Sequence, residues 1–177
     1  MVCVTVLSVV LIWLGYRMRA DYMTVDTPDK IDDTPTIVEQ MREIGQWEFL
    51  SISDEELVDT VRTGFFSDDH LIRIYYGTLR LGIDFSKCSD EWIAMEGDSV
   101  VLSLPPVTLL DENFLDEGRT QSFYENGKWD NKDRRDMAER AKAIMRRRCL
   151  TKENMAQAQA NAERQVRAFV DIVAKKR

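Results

Sequence analysis

Apolar residues recur along this chain in three patterns. Residues 2–16 (VCVTVLSVVLIWLGY) form an unbroken run with no charge and no proline, interrupted only by Thr5 and Ser8. Between His70 and Leu104 apolar side chains alternate with polar ones, the period of a strand with one face covered. From Met155 to Val173 they recur three or four apart (Met155, Ala158, Ala162, Val166, Phe169, Val170, Val173), the stripe of a helix on a core.

The N-terminal run is apolar all round, which suits a lipid environment better than a core helix with one polar side. Fifteen residues at the helical rise reach about 22 Å, against a hydrocarbon core of about 30 Å. The span therefore closes only with help from Met1, Met18 and the stems of Arg17 and Arg19. A cleaved signal peptide would call for a basic start and small residues before a cleavage site, and the chain opens Met-Val-Cys instead. The run predicts a transmembrane anchor over residues 1–19, with membrane contact through residues 2–18. Arg17 and Arg19 at its end would by charge alone leave the body in the cytoplasm.

After the anchor, residues 21–36 carry five aspartates and two prolines, a composition that favours an extended, self-repelling spacer. Residues 37–44 (IVEQMREI) offer a helical turn or two, so residues 20–44 read as an acidic linker with a short helix, followed by a single α+β domain over 45–177. Within it, WEFLSI (residues 47–52) alternates as a strand does, while SDEE (residues 53–56) followed by Leu57, Val58 and Val61 also spells a capped amphipathic helix. Residues 70–84 (HLIRIYYGTLRLGID) predict a long strand in which Gly77 and Gly82 mark a bend or bulge. Residues 92–104 predict a β-hairpin stopped by Pro105 and Pro106. Beyond the turn at residues 125–128, Asp130 or Asn131 can cap a helix running to about Arg148, and Thr151 a second. The expected fold is thus an antiparallel or mixed sheet with C-terminal helices packed on it, preceded by the anchor. Ile72, Ile74 and Tyr76 are expected on the covered face, under Val166, Phe169 and Val170.

Charge is unevenly placed. Residues 1–129 hold 10 Lys/Arg against 24 Asp/Glu, whereas residues 130–177 hold 14 against 7. The simplest reading is a basic helical tail packed on an acidic sheet, or self-association through the same complementarity. The tail's cations are interleaved with Ala, Gln and Glu and have no aromatic platform, so a nucleic-acid partner is not expected.

Candidate chemistry is sparse. His70 is the sole histidine, so a triad or a histidine metal site would have to form around Asp68, Asp69 and His70. The pairs Asp111/Glu112 and Asp116/Glu117 could serve as acid and base if folding brought two carboxyls within about 5 to 10 Å. Gly77 and Gly82 lack the third glycine and the following helix of a phosphate loop. Arg146, Arg147 and Arg148 fit the last turn of a helix, where the macrodipole favours cations, and substitution of Arg146 or Arg147 is expected to be nearly neutral. Cys3 lies in the apolar run, leaving Cys88 and Cys149 as the pair that a disulfide could join. No catalytic, cofactor or metal residue is assigned, and no cofactor is expected.

Four stretches carry a resemblance: YYGTLRLGIDFSK (residues 75–87), DSVVLSLP (98–105), LLD (109–111) and NAE (161–163). Together they resemble the DUF4230 family of uncharacterised bacterial proteins, frequent among Bacteroidetes, over roughly residues 45–173. The resemblance implies an α+β domain behind an N-terminal membrane anchor, facing away from the cytoplasm at the cell envelope. It implies no activity and no catalytic residues. Such domains tend to continue into another short strand after the last helix, where this sequence ends Lys175-Lys176-Arg177. The expected function is a membrane-anchored, non-catalytic interaction or scaffold module with a protein partner. Two alternatives stay open: a self-assembling homo-oligomer with a layout similar to stomatin-like proteins, and a hydrolase using the acidic loop at 111–117.

Overall fold

A computed structural model describes residues 22–26, 34–96 and 99–175. The anchor expected at residues 1–19 lies outside the described residues, as does most of the linker before Thr34. Among the described residues no helix is long and apolar enough to cross a membrane. The fold is α+β, every described strand pair is antiparallel, and the two longest helices follow at the C-terminal end. Two compact units emerge. The first gathers the described residues up to Gly45, residues 85–105 and the chain from Glu163; the second gathers Gln46–Asp84 and Pro106–Ala162.

In the first unit, β1 (Tyr22–Asp26) pairs along its length with β5 (Ser99–Ser103), which pairs on its other side with β4 (Ile93–Glu96). The expected hairpin is therefore present, with Trp92 in the short helical turn before it. Tyr22–Asp26 had been expected as extended spacer. Its YMTVD pattern alternates, however, and it closes an edge of β5 that would otherwise be open. Helix α1 (Thr34–Ile44) buries Ile37, Val38 and Met41 and packs against β4 and the turn Phe85–Lys87. Gly45 ends it in the left-handed region (φ 72°), its N–H donating to the Arg42 carbonyl at 3.1 Å. Phe85 stacks obliquely on Trp92 at 5.3 Å.

The second unit is built on one long hairpin, β2 (Gln46–Arg62) with β3 (Asp69–Asp84). Residues 53–61, which the sequence left open between helix and strand, are strand. Each capping residue there is opposite a β3 residue in continuous register, and tertiary pairing overrides the local preference. A bulge at Phe49 shifts the register opposite Leu81 and Gly82 and turns that ring inward. The far edge of β3 is covered by β6 (Thr108–Leu109), a bridge from Gly77 to Leu115, and β7 (Gln121–Glu125), a strand the sequence reading did not anticipate.

Helix α2 (Asn131–Cys149) starts with a reciprocal box between Asp130 and Asp133, whose backbone and side-chain bonds are 2.9 and 3.0 Å. A second helix, α3 (Lys152–Lys175), begins after Thr151, whose hydroxyl accepts the Asn154 N–H at 3.2 Å. Its stripe is legible as expected, with Ala158, Ala162, Val166 and Val170 fully buried and Phe169 half-buried.

The packing on β3 corrects the sequence reading in two ways. The covered face holds Leu71, Tyr75 and Leu79, not Ile72, Ile74 and Tyr76, and the helix above it is α2, through Met137, Ala141, Met145 and Cys149. Among the described residues no apolar side chain of α3 is packed on this cluster. Gly77 makes the approach feasible, since a Cβ there would lie 3.1 Å from the Phe114 ring and 3.2 Å from the Met145 sulfur.

Candidate functional site

The covered face of β3 also carries a cleft, an open hollow of about 1070 Å³. Arg73 and Tyr75 form its floor, Leu115 to Thr120 one wall, and the first half of α2 the other. With Ile72 and Ile74 expected on the covered face, alternation would turn Arg73 away from it. Instead its guanidinium carbon lies 5.5 Å from the centre of the Tyr75 ring, and its Nε is buried without a hydrogen-bond partner. Tyr75 donates weakly to the Arg134 carbonyl at 3.4 Å. Burial raises its phenol pKa despite the opposing pull of Arg73, Arg134 and Arg140, so the ring hydroxyl is no base near neutral pH.

Most charges around the cleft are already paired. Arg134 grips Glu125 at 2.6 Å, and that hydrogen bond holds the Glu125 carboxyl below its usual range. Lys142 meets Glu139 at 3.0 Å, and Asp136 meets Lys132 at 2.6 Å. Asp116 caps its own turn, accepting from the Arg119 N–H at 3.1 Å. The rim is thus an interlocked surface with alternating charges and no activated nucleophile among them.

The acidic pairs singled out from sequence are dispersed into ties of this kind. Asp111 accepts the Asn113 N–H at 2.8 Å and lies 3.9 Å from Arg80; Glu112 is ion-paired with Arg146; Asp116 and Glu117 border the cleft. His70 is the second residue of β3; its backbone N–H donates to the Asn126 side-chain oxygen, and its carbonyl accepts the Asn126 N–H at 2.9 Å. Among the described residues no group of three or more His, Cys, Asp or Glu side chains is placed to hold a metal ion.

The basic run at the end of α2 also differs from expectation. Arg146 and Arg148 are not solvated helix-end charges. Arg148 bridges Asp54 at 2.8 Å and Glu56 at 2.9 Å and donates to the Glu55 carbonyl at 2.7 Å. Both acids project from β2 toward α2 and are mostly shielded, with side chains 18% and 16% exposed, so removing the cation leaves half-buried carboxylates without their counter-ion. Arg147 is exposed, as expected. Further up the helix Arg140 donates to the Asp59 carbonyl at 3.0 Å, and Asp133 receives Arg62 at 2.7 Å. The basic helix and acidic hairpin therefore neutralise each other within one unit.

Among the described residues neither Cys88 nor Cys149 is in a disulfide. Burial, reinforced by a bond from its sulfur to Asp54 at 3.4 Å, pushes the Cys149 thiol up to about 11. A thiol so placed is inert at neutral pH. In the native chain at about pH 8, iodoacetamide should leave Cys149 unmodified, with alkylation appearing only in denaturant. Mass mapping of the peptide containing residue 149 reads the result, and fast native labelling would mean that the α2 core opens readily.

On the opposite face of the hairpin Arg119 lies 4.5 Å over the Tyr76 ring, and several side chains beyond it are exposed. Leu57 and Val61 of β2 and Tyr124 of β7 are each about half exposed there, in register with Ile74, His70 and Ile72 of β3. At the hairpin tip Phe65 and Phe66 are almost fully exposed.

The sequence that builds these elements matches one family model. The family model described as "protein of unknown function (DUF4230)" matches residues 39–176, from within α1 to the end of α3. The chain belongs to the DUF4230 family. The matched span takes in the second unit, with the cleft and the long hairpin, and the first unit from residue 39 onward, and the family description names no activity. No curated protein and no solved structure matches the chain. The YYGTLRLGIDFSK stretch that carried the resemblance is the β3 strand and the turn after it, where Gly77 admits α2 and Gly82 admits the bulge.

Proposed function

We propose that this DUF4230 protein is a membrane-tethered, non-catalytic interaction module. The apolar run at residues 2–18 serves as the tether, and the open face of the β2–β3–β7 sheet serves as the contact surface for a protein partner. One observation carries the reading: ionic and hydrogen-bonding groups of the second unit are largely engaged with one another, while Leu57, Val61 and Tyr124 stay half exposed on the face away from α2. The same internal neutralisation weakens self-assembly through charge complementarity. It also leaves the acidic loop at 111–117 in structural contacts instead of a hydrolytic pair.

The test fractionates cells expressing the full chain, then sediments the membrane-bound protein after mild detergent extraction. Leu11→Asp with Ile12→Asp should move the chain to the soluble fraction, since charge at the centre of a span is strongly disfavoured. Leu57→Thr with Val61→Thr should leave it in membranes but lower the mass of the extracted complex. If the mass instead stays at a multiple of 20.6 kDa in purified protein, the module is a self-assembling subunit.

A further inference from the structure

Phe65 and Phe66 stand side by side at the tip of the β2–β3 hairpin, 95% and 96% exposed, their rings edge to face at 5.0 Å. A scattered exposed apolar residue needs no account, but two adjacent rings held wholly in water do. The loop that holds them is braced. Gly64 has no Cβ where the Ser67 carbonyl crosses, and its N–H donates to the Asp68 carboxylate at 3.3 Å. Asn126 donates to the Asp68 carbonyl at 3.3 Å. On the other side Arg62 donates to the Lys128 carbonyl at 2.8 Å and lies 4.6 Å over Trp129, whose ring N–H donates to Asn126 at 2.6 Å. The rings are thus presented on a fixed frame and do not fold back onto the hairpin.

Residues 63–67 (TGFFS) carry no charge, and the flanking Arg62 and Asp68 are both tied into the frame. We propose that this tip inserts into the lipid bilayer as a second membrane contact of the chain. The inference rests on residues 2–18 tethering the protein to that bilayer. A convex pair of unsubstituted rings offers no polar group to fix its register in a protein pocket, whereas an interfacial lipid layer asks for none. The tether raises the local concentration of bilayer, so the modest partitioning of two rings suffices. Asp68, Asp69 and the net charge of −7 argue that apolar contact, and not attraction to anionic lipid, drives the insertion.

The test reconstitutes the full chain carrying Phe66→Trp in phosphatidylcholine vesicles, with the unsubstituted chain as reference. The difference in emission isolates residue 66. Brominated phosphatidylcholine should quench most of it and aqueous iodide little, and adding Phe65→Ser should reduce the bromolipid quenching several-fold. If the chain floats with the vesicles yet residue 66 is open to iodide and untouched by bromolipid, the tip proposal fails and the tether stands. A chain that does not float overturns both. Protection from iodide in native membranes but not in pure lipid would overturn the lipid proposal in favour of a protein socket.

Discussion

Leu79→Ala should cost the folded chain about 2 to 5 kcal/mol, out of a total stability of about 5 to 15 kcal/mol. Leu79 is fully buried at the centre of the cluster formed by Leu71, Tyr75, Phe114, Met137, Ala141 and Met145. Truncating it removes its transfer free energy and leaves a cavity that a sheet fixed on both edges of β3 cannot close. Leu57→Ala on the opposite face, where the side chain is half exposed, should stay within about 0.5 kcal/mol. Urea titration followed by tryptophan emission reads both. The midpoint should fall for Leu79→Ala with the slope unchanged. Equal losses would mean that both faces of the hairpin are covered, and a larger loss at Leu57 would reverse the face assignment.

That contrast is where sequence reading and structure part. The alternation along residues 70–84 made β3 legible as a strand, and period 2 fixes which residues share a face. It does not say which face is covered. Ile72 and Ile74 look more like core than Arg73 and Gly77 do, so hydrophobicity favoured the wrong set. The deciding element is α2, whose stripe of Met137, Ala141, Met145 and Cys149 is weakly apolar amid lysines and arginines and so was not picked out. By contrast the stripe of α3 holds Val166 and Val170 and was plain. Likewise Glu56 and Asp54 signalled a helix start because the arginine that meets them, Arg148, lies more than ninety residues later. β7 is illegible in the sequence because QSFYE is short and has no buried residue, and its place depends on the edge of β3. Local signals sufficed where caps and strong alternation acted alone: the box at Asp130, the hairpin of β4 and β5, and the turn at Gly127 (φ 79°). The cleft was invisible because Arg73 and Arg134 are brought together only by the packing of α2.

Gly82→Ala should be nearly as damaging as the cavity in the core, for the opposite reason. A Cβ at position 82 would lie 2.7 Å from a methyl of Leu110 and would collide outright with the Trp47 carbonyl across the bulge. The Leu110 side chain can turn aside, but the Trp47 carbonyl belongs to the backbone of β2 and can move only if the strand pair separates near its open end. The expected loss is about 3 kcal/mol, the upper end for overpacking, because the obstacle is not a flexible side chain. Gly118→Ala supplies the contrast on the same unit: its nearest neighbour is Asp116 Oδ1 at 3.4 Å, so the substitution should be neutral or stabilising by up to about 1 kcal/mol through a stiffer unfolded chain. Sequence reading expected a bulge in β3 at its glycines. The extra residue is in fact Phe49 on the partner strand, and Gly82 is the space into which that strand swings. Denaturation midpoints for both alanine variants decide the point. A neutral Gly82→Ala would mean that β2 and β3 pair without the shift between Glu48 and Leu50. Phe49 would then face away from the interior, and the register of the hairpin up to Trp47 would need to move by one residue.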